Sequence, residues 1–183
     1  MLKPKEGRLL IADPSLNESV FFKSVIILTH HTKNESIGLI LNKPTKIKLH
    51  HVIDGIPESN FKLYLGGPVE KNSLHFIHTL GNNIPGAKQL TNNIYWGGDI
   101  NTIIDLVKNK KLSNNNIRFF IGYAGWDEKQ LNSEIREESW IVNETKEIYW
   151  NKYKSKDIWK ELIKKQKSKY AIWANLPKEP YLN

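Results

Sequence analysis

Ile117-Arg-Phe-Phe-Ile-Gly-Tyr-Ala-Gly-Trp-Asp-Glu-Lys-Gln-Leu-Asn-Ser-Glu-Ile135 decides how this chain is read. Its first five residues form a compact apolar run that reads as a strand. Gly122-Tyr-Ala-Gly-Trp126 then sets two glycines and a tryptophan where the chain leaves that strand, so a turn is expected at Gly125-Trp126. A helix over Asp127–Glu138 follows, with Leu131 and Ile135 on one face. Asp127 and Gln130 stand three residues apart as a capping pair, Gln130 reaching back to the N–H of the cap residue. Such a turn also presents free N–H groups and a positive helix end, which suit an anion, with Trp126 as a flat apolar wall. Glu128 would repel that anion, so capping is the reading taken here.

Upstream, short apolar strands alternate with turn residues. Gly7–Ala12, Ser24–Leu28, Gly38–Leu41, Phe61–Leu65, Leu74–Thr79 and Ile94–Trp96 are the candidates. Ser24–Leu28 is near-continuously apolar, as in a strand buried on both faces, and Gly38–Leu41 is its hairpin partner. Two more helices are legible downstream. Asp99 caps one whose Ile100, Ile103, Ile104 and Val107 fall at helical spacing, and Ser155 caps another with a stripe of Ile158, Trp159, Leu162 and Ile163. Trp140–Val142 and Ile148–Trp150 read as further strands, and 176–183 as an extended tail. No repeat or linker interrupts the pattern, so one mixed α/β domain over 1–183 is expected.

Composition narrows the function classes. A content of 39% hydrophobic and 25% charged residues in 183 is ordinary for a water-soluble domain. No apolar run approaches the roughly 20 residues of a membrane span, and the first residues lack the apolar core of a signal peptide. A cytoplasmic location without membrane attachment is the expectation. The absence of cysteine removes disulfides, thiolate nucleophiles and thiolate metal sites together. The net charge of +8 is concentrated at the end, where residues 144–183 hold ten Lys against five acids. Arg, the residue suited to bidentate base contacts, is confined to Arg8, Arg118 and Arg136, so nucleic acid is a possible but not a favoured partner.

The remaining motifs carry candidate chemistry. Gly66-Gly67-Pro68 closes Phe61–Leu65, and two glycines there permit positive φ or a close backbone approach; a tight turn is the simpler reading. Asn42-Lys43-Pro44 leaves a strand end with Lys43 free to meet a phosphate or carboxylate. Gly97-Gly98-Asp99 is a strand–glycine–helix entry without a phosphate-loop pattern. The histidines at 30–31, 50–51, 75 and 78 alternate across strand faces, so none chelates by local spacing. No nucleophile-elbow motif occurs, and Glu134 is the carboxylate placed for any acid–base role.

Taken in order, these blocks resemble the YqgE/AlgH family of bacterial proteins. The resemblance is carried by Gly7-Arg-Leu-Leu-Ile-Ala-Asp-Pro-Ser-Leu16, Phe22-Lys-Ser-Val-Ile-Ile-Leu28, His31, Gly38-Leu-Ile-Leu-Asn-Lys-Pro-Thr45, Leu65-Gly-Gly-Pro-Val69, His78 and Gly122-Tyr-Ala-Gly-Trp126 with Gln130, Leu131, Glu134 and Trp140. It implies a compact mixed fold whose sheet curls toward a barrel with helices packed around it. It implies little chemistry, because the family has no established reaction and takes its name from a link to transcriptional regulation. Three departures stand out: His30 where relatives usually carry Glu, Glu35-Ser36 in place of Gly-Ala, and Asp127-Glu128-Lys129 in place of a glycine-rich turn.

The function expected from sequence is therefore regulatory and transcription-linked, exerted by binding a small anionic ligand or a protein partner rather than by catalysis. Asn42, Lys43, Gly66, Gly67, His78, Trp126, Gln130 and Glu134 are the candidate cleft, since strand exits are where α/β sheets place ligands. No metal or cofactor is called for. Two alternatives stay open: a metal-assisted hydrolase or transferase using Glu134 and His78, and a nucleic-acid binder working through the Lys-rich C-terminal helix.

Overall fold

The computed structural model describes residues 2–16, 20–144 and 154–166. Ten strands are present among them: β1 (Leu9–Ala12), β2 (Val25–His31), β3 (Ser36–Ile40), β4 (Pro44–Lys48), β5 (Lys62–Leu65), β6 (Val69–His78), β7 (Lys88–Gln89), β8 (Tyr95–Trp96), β9 (Ile117–Trp126) and β10 (Trp140–Asn143). The helices are α1 (Ile100–Lys108), α2 (Gln130–Arg136) and α3 (Ser155–Lys164). The sheet runs β10-β1-β2-β3-β9-β6-β8-β7, with β4 and β5 joined to it through β9. β5 lies parallel to β9, and the other ladders among the described residues are antiparallel, so the sheet is mixed and curls into a half-barrel.

β1 and β2 are apolar without alternation because both faces are covered. Leu9 and Ile11 pack with Val25, Ile27 and the α3 residues Ile158, Trp159 and Ile163. Leu10 and Ala12 pack on the opposite side with Ile26, Leu28 and the α2 residues Leu131 and Ile135. A third cluster joins α1, through Ile103 and Val107, to Phe76, Ile117 and Phe119. α1 begins where expected: the Asp99 carboxylate accepts from the Thr102 N–H at 2.8 Å and from the Thr102 hydroxyl at 2.6 Å. Those bonds hold the Asp99 pKa below the ordinary aspartate value.

β9 is the axis of the molecule, and it corrects the sequence reading. The chain makes no turn at Gly125-Trp126; the strand continues through Gly122–Trp126. Its first half pairs with β5 and β6, and its second half with β3 and with Val69 of β6. Ile117, Phe119 and Ile121 face the α1 cluster while Phe120 faces the α3 cluster. Strict alternation would put Tyr123 on the α1 side, yet it packs with the α3 cluster, and Ala124 and Trp126 pack under α2. Gly122, at φ +65°, absorbs that change of parity. The register of β6 moves at the same place, from Leu74 opposite Ile121 to Val69 opposite Tyr123. A left-handed glycine at a register shift is bulge geometry, and it lets one strand serve three clusters.

Other boundaries also differ. α2 starts at Gln130, and its N-cap is Lys129 in the left-handed region at φ 65°, not Asp127. The N-cap of α3 is Lys154; Ser155 is its first residue, and its hydroxyl lies 3.1 Å from that of Tyr64. β6 begins five residues before the expected Leu74, and β4 and β7 have no counterpart in the sequence reading. The expected strand at Ile148–Trp150 and the tail at 176–183 lie outside the described residues.

Candidate functional site

Asn42 follows β3 and is buried. Its Oδ1 accepts the Val25 N–H at 2.9 Å and its Nδ2 donates to the Lys23 carbonyl at 2.8 Å. The Lys43 ammonium donates to the Phe22 carbonyl at 2.7 Å. Together they clamp the approach to β2, where Lys23 takes a positive φ of 51°. Burial lowers the Lys43 pKa below that of a free lysine.

Gly66 and Gly67 are not a positive-φ turn. They lie directly against the backbone of Gly122, Tyr123 and Ala124, where any Cβ would overlap main-chain atoms. Close approach, the alternative to a turn in the sequence reading, is what both glycines serve here.

Trp126, Gln130 and Glu134 form one connected network. The Trp126 indole N–H donates to Glu134 Oε2 at 2.8 Å, and the Trp140 indole N–H donates to the same oxygen at 2.7 Å. Gln130 Nε2 donates to Glu134 Oε1 at 2.9 Å, while Gln130 Oε1 accepts the Asp127 N–H at 3.0 Å. The back-bond expected from Gln130 is therefore formed, although Asp127 is not the cap. Phe21 stacks on Trp126 and meets Trp140 edge-on, with centroids 6.4 and 5.5 Å away. Because Phe22 holds Lys43, the segment before β2 links the Asn42-Lys43 clamp to this network.

His78 stands apart. It pairs with Ile117 at the beginning of β9, whereas Trp126 ends that strand. Nine residues of extended chain separate the two positions, roughly 30 Å. His78 Nε2 donates to the Gly97 carbonyl at 3.1 Å, Nδ1 accepts the Leu80 N–H at 3.2 Å, and the ring stacks on Tyr95.

Next to His78 the surface opens into a recess of about 310 Å³ between β6, β8 and the start of α1. Leu74, Phe76 and Ile100 supply its apolar part, and His75, Trp96, Gly97 and Gly98 complete the lining. Ser73 Oγ donates to the Glu70 carbonyl, so its contact with His75 Nε2 at 2.9 Å places the proton on that nitrogen. His75 Nδ1 is then an acceptor with no partner among the described residues.

A family model described as AlgH-like matches residues 9–171. The chain belongs to the AlgH-like family. Proteins named UPF0301 are similar to it nearly end to end. One from Bacteroides thetaiotaomicron is 36% identical over 98% of this chain and 92% of its own length. Another from Chlorobium limicola is 36% identical over 99% and 97%. A Corynebacterium diphtheriae crystal structure shares the fold at a TM-score of 0.75 and 20% identity, covering 96% of this chain and 94% of that one. The solution structure of the AlgH protein from Pseudomonas aeruginosa gives 0.63 and 22%, covering 79% and 80%.

The residues read as departures from the family pattern have defined surroundings in the fold. His30 Nε2 lies 3.3 Å from Glu35 Oε1, so two of the three departures face each other. His30 Nδ1 is 3.4 Å from Glu6, which also takes Lys88 at 2.6 Å. Lys129 occupies a left-handed position that glycine would adopt without strain. Among the described residues no three His, Asp or Glu side chains gather as a metal set, and no helix is long and apolar enough to cross a membrane. The sequence reading passed over His75 and Trp96; the flagged Gly97-Gly98 pair was the signal beside them.

His78 gives a pH prediction. Burial holds its pKa below the ordinary imidazole value, opposed in part by the bond to Gly97. The unfolded imidazole protonates near pH ~6.5 and the folded one only at lower pH. Stability from this site is thus complete above that pH and lost as pH falls toward the folded pKa. His31 and His75 shift the same way, so the parent must be compared with His78→Gln. Urea unfolding at pH 7.5 and 5.5 should show a smaller acid loss in the variant; equal losses contradict this account.

Proposed function

We propose that this AlgH-like protein is regulatory and transcription-linked, and that it works by binding rather than by catalysis. Kinship supports the regulatory part. The observation that carries the binding part is the contrast between closed and open polar groups. Glu134 and His78, the pair an acid–base or metal-assisted reaction would use, have their hydrogen-bonding atoms engaged by neighbouring groups of the chain. A group already engaged on both sides is poorly placed to move a substrate proton.

The recess has the opposite character. Its lining includes Trp96 and, from the opposite face of β6 to Leu74 and Phe76, His75; the Trp96 indole N–H and His75 Nδ1 have no hydrogen-bond partner among the described residues. A recess at a sheet edge, with aromatic and apolar lining and two unspent polar atoms among its residues, suits a flat heteroaromatic ligand that carries both a donor and an acceptor. In this reading the strand-exit motifs act as scaffold: His78 fixes the Gly97 wall, while Gly66 and Gly67 let β9 close on its neighbours.

Thermal-shift titration with the common nucleobases and nucleosides tests the recess. At least one should raise the melting temperature, and the rise should disappear in both Trp96→Ala and His75→Ala. No rise with any of them, or a rise that survives both substitutions, rejects this site.

A further inference from the structure

A second opening shares no lining residue with the recess. The N-terminal segment and α2 border an open cleft of about 500 Å³. Leu2, Pro4 and Ile135 form its apolar part, Lys3, Lys129 and Arg136 its charged part, and Asn132 its neutral polar member. No acidic side chain belongs to that lining. The wall is fastened rather than loose: Arg8 Nη1 donates to the Lys3 carbonyl at 2.6 Å, and Arg8 Nη2 reaches Glu144 at 3.4 Å.

Two independent features make this cleft unusual. Leu2 is 43% exposed, and only Ile47 and Val52 are comparable large apolar residues among those described. A leucine left in water beside a groove is uncompensated apolar surface. The cations around it are also lightly engaged. Lys129 meets Glu128 at 3.3 Å with both side chains largely in solvent, and Arg136 donates to Ser133 Oγ at 3.4 Å. Exposed pairs of that kind contribute little and exchange readily.

We propose that this cleft docks an acidic peptide segment of a partner protein, anchored by one apolar side chain. The apolar residue would cover Leu2, Pro4 and Ile135, and the flanking carboxylates would meet Lys3, Lys129 and Arg136. Charge complementarity selects this occupant. A second copy docking isologously would set the same three cations against themselves. Nucleic-acid backbone would meet the cations but leave the apolar floor without a partner.

The test is fluorescence anisotropy with the full chain and a fluorescein-labelled glutamate-rich dodecapeptide carrying one central leucine. Saturable binding is expected, weakened about tenfold or more by Arg136→Glu through like-charge repulsion. Replacing the peptide leucine by glycine should weaken binding by a similar factor, about the value of one buried apolar side chain. Lys3→Glu, outside every helix and strand, gives a second charge reversal should Arg136→Glu disturb α2. Binding within twofold of the parent in both variants overturns the proposal. So does a leucine-free peptide that binds equally well, or a labelled single-stranded oligonucleotide that binds more tightly than the peptide. A melting temperature unchanged in Lys3→Glu separates lost docking from lost folding.

Discussion

Gly67→Ala is expected to lower the melting temperature by on the order of 10 °C, or to prevent accumulation of folded protein. The added methyl would overlap the carbonyl group of Tyr123 and the amide nitrogen of Ala124, all main-chain atoms of β9. A flexible side chain could swing away, but a strand backbone in a ladder cannot move without breaking its hydrogen bonds. Overpacking of that kind costs about 3 kcal/mol or more. For a chain of this size each kcal/mol corresponds to about 2–4 °C. Gly55→Ala is the informative control. Gly55 has φ +72° and no atom within 4 Å of an added Cβ, so only backbone strain is introduced. That strain is about 1 kcal/mol. Thermal unfolding followed by circular dichroism should rank Gly67→Ala far below Gly55→Ala. If the two variants melt within a few degrees of each other, steric contact at β9 is not why Gly67 is required.

The same glycines show where sequence reading runs out. β1, β2 and α1 were legible because their signals are local: unbroken apolar runs for sheets covered twice, and Asp99 ahead of isoleucines at helical spacing. Gly122–Trp126 failed because glycine has two meanings. Read alone, the motif is turn chemistry; in the fold, Gly122 supplies a bulge and the Gly66-Gly67 backbone lies against that stretch. The information that separates these meanings sits fifty-five residues upstream, and no window along the chain contains it. β4 was missed for a different reason: Pro44–Lys48 is mostly exposed, so burial imposed no apolar pattern on it. Of the candidate cleft, the spacing of Trp126, Gln130 and Glu134 was readable as one helical face approached from a strand. That Trp140 would join them, and that His78 would lie at the far end of β9, depended on strand pairing alone. The recess combines residues 74–76 with 96–100, two stretches that become neighbours only through the β6–β8 ladder.

Glu134→Ala should be the most damaging change outside the glycines. Trp126 and Trp140 are 4% and 3% exposed, and both indole N–H groups end on one carboxylate oxygen. Removing that acceptor leaves two donors in an apolar cluster, each unsatisfied group costing about 1–3 kcal/mol. Gln130 also loses its Oε1 partner, which loosens its hold on the Asp127 N–H. A total of about 3–5 kcal/mol is expected for the alanine variant. Glu134→Gln should fall between, for a physical reason that distinguishes the two oxygens. An amide oxygen turned toward the indoles keeps an acceptor there, but its NH2 then faces the Gln130 NH2, donor against donor. Trp140→Phe removes one indole donor while keeping an aromatic ring in contact with Phe21. The double variant Trp140→Phe with Glu134→Ala should therefore lose less than the two single losses added together. Denaturant unfolding of the parent, both singles and the double closes the cycle, and a coupling of about 1 kcal/mol or more is expected for groups in direct contact. Strictly additive losses would mean that the Trp140–Glu134 bond contributes nothing. Only if the matching cycle with Trp126→Phe is additive too would Glu134 be free of the structural duty that argues against its use as an acid or base, and the metal-assisted alternative would then regain its carboxylate.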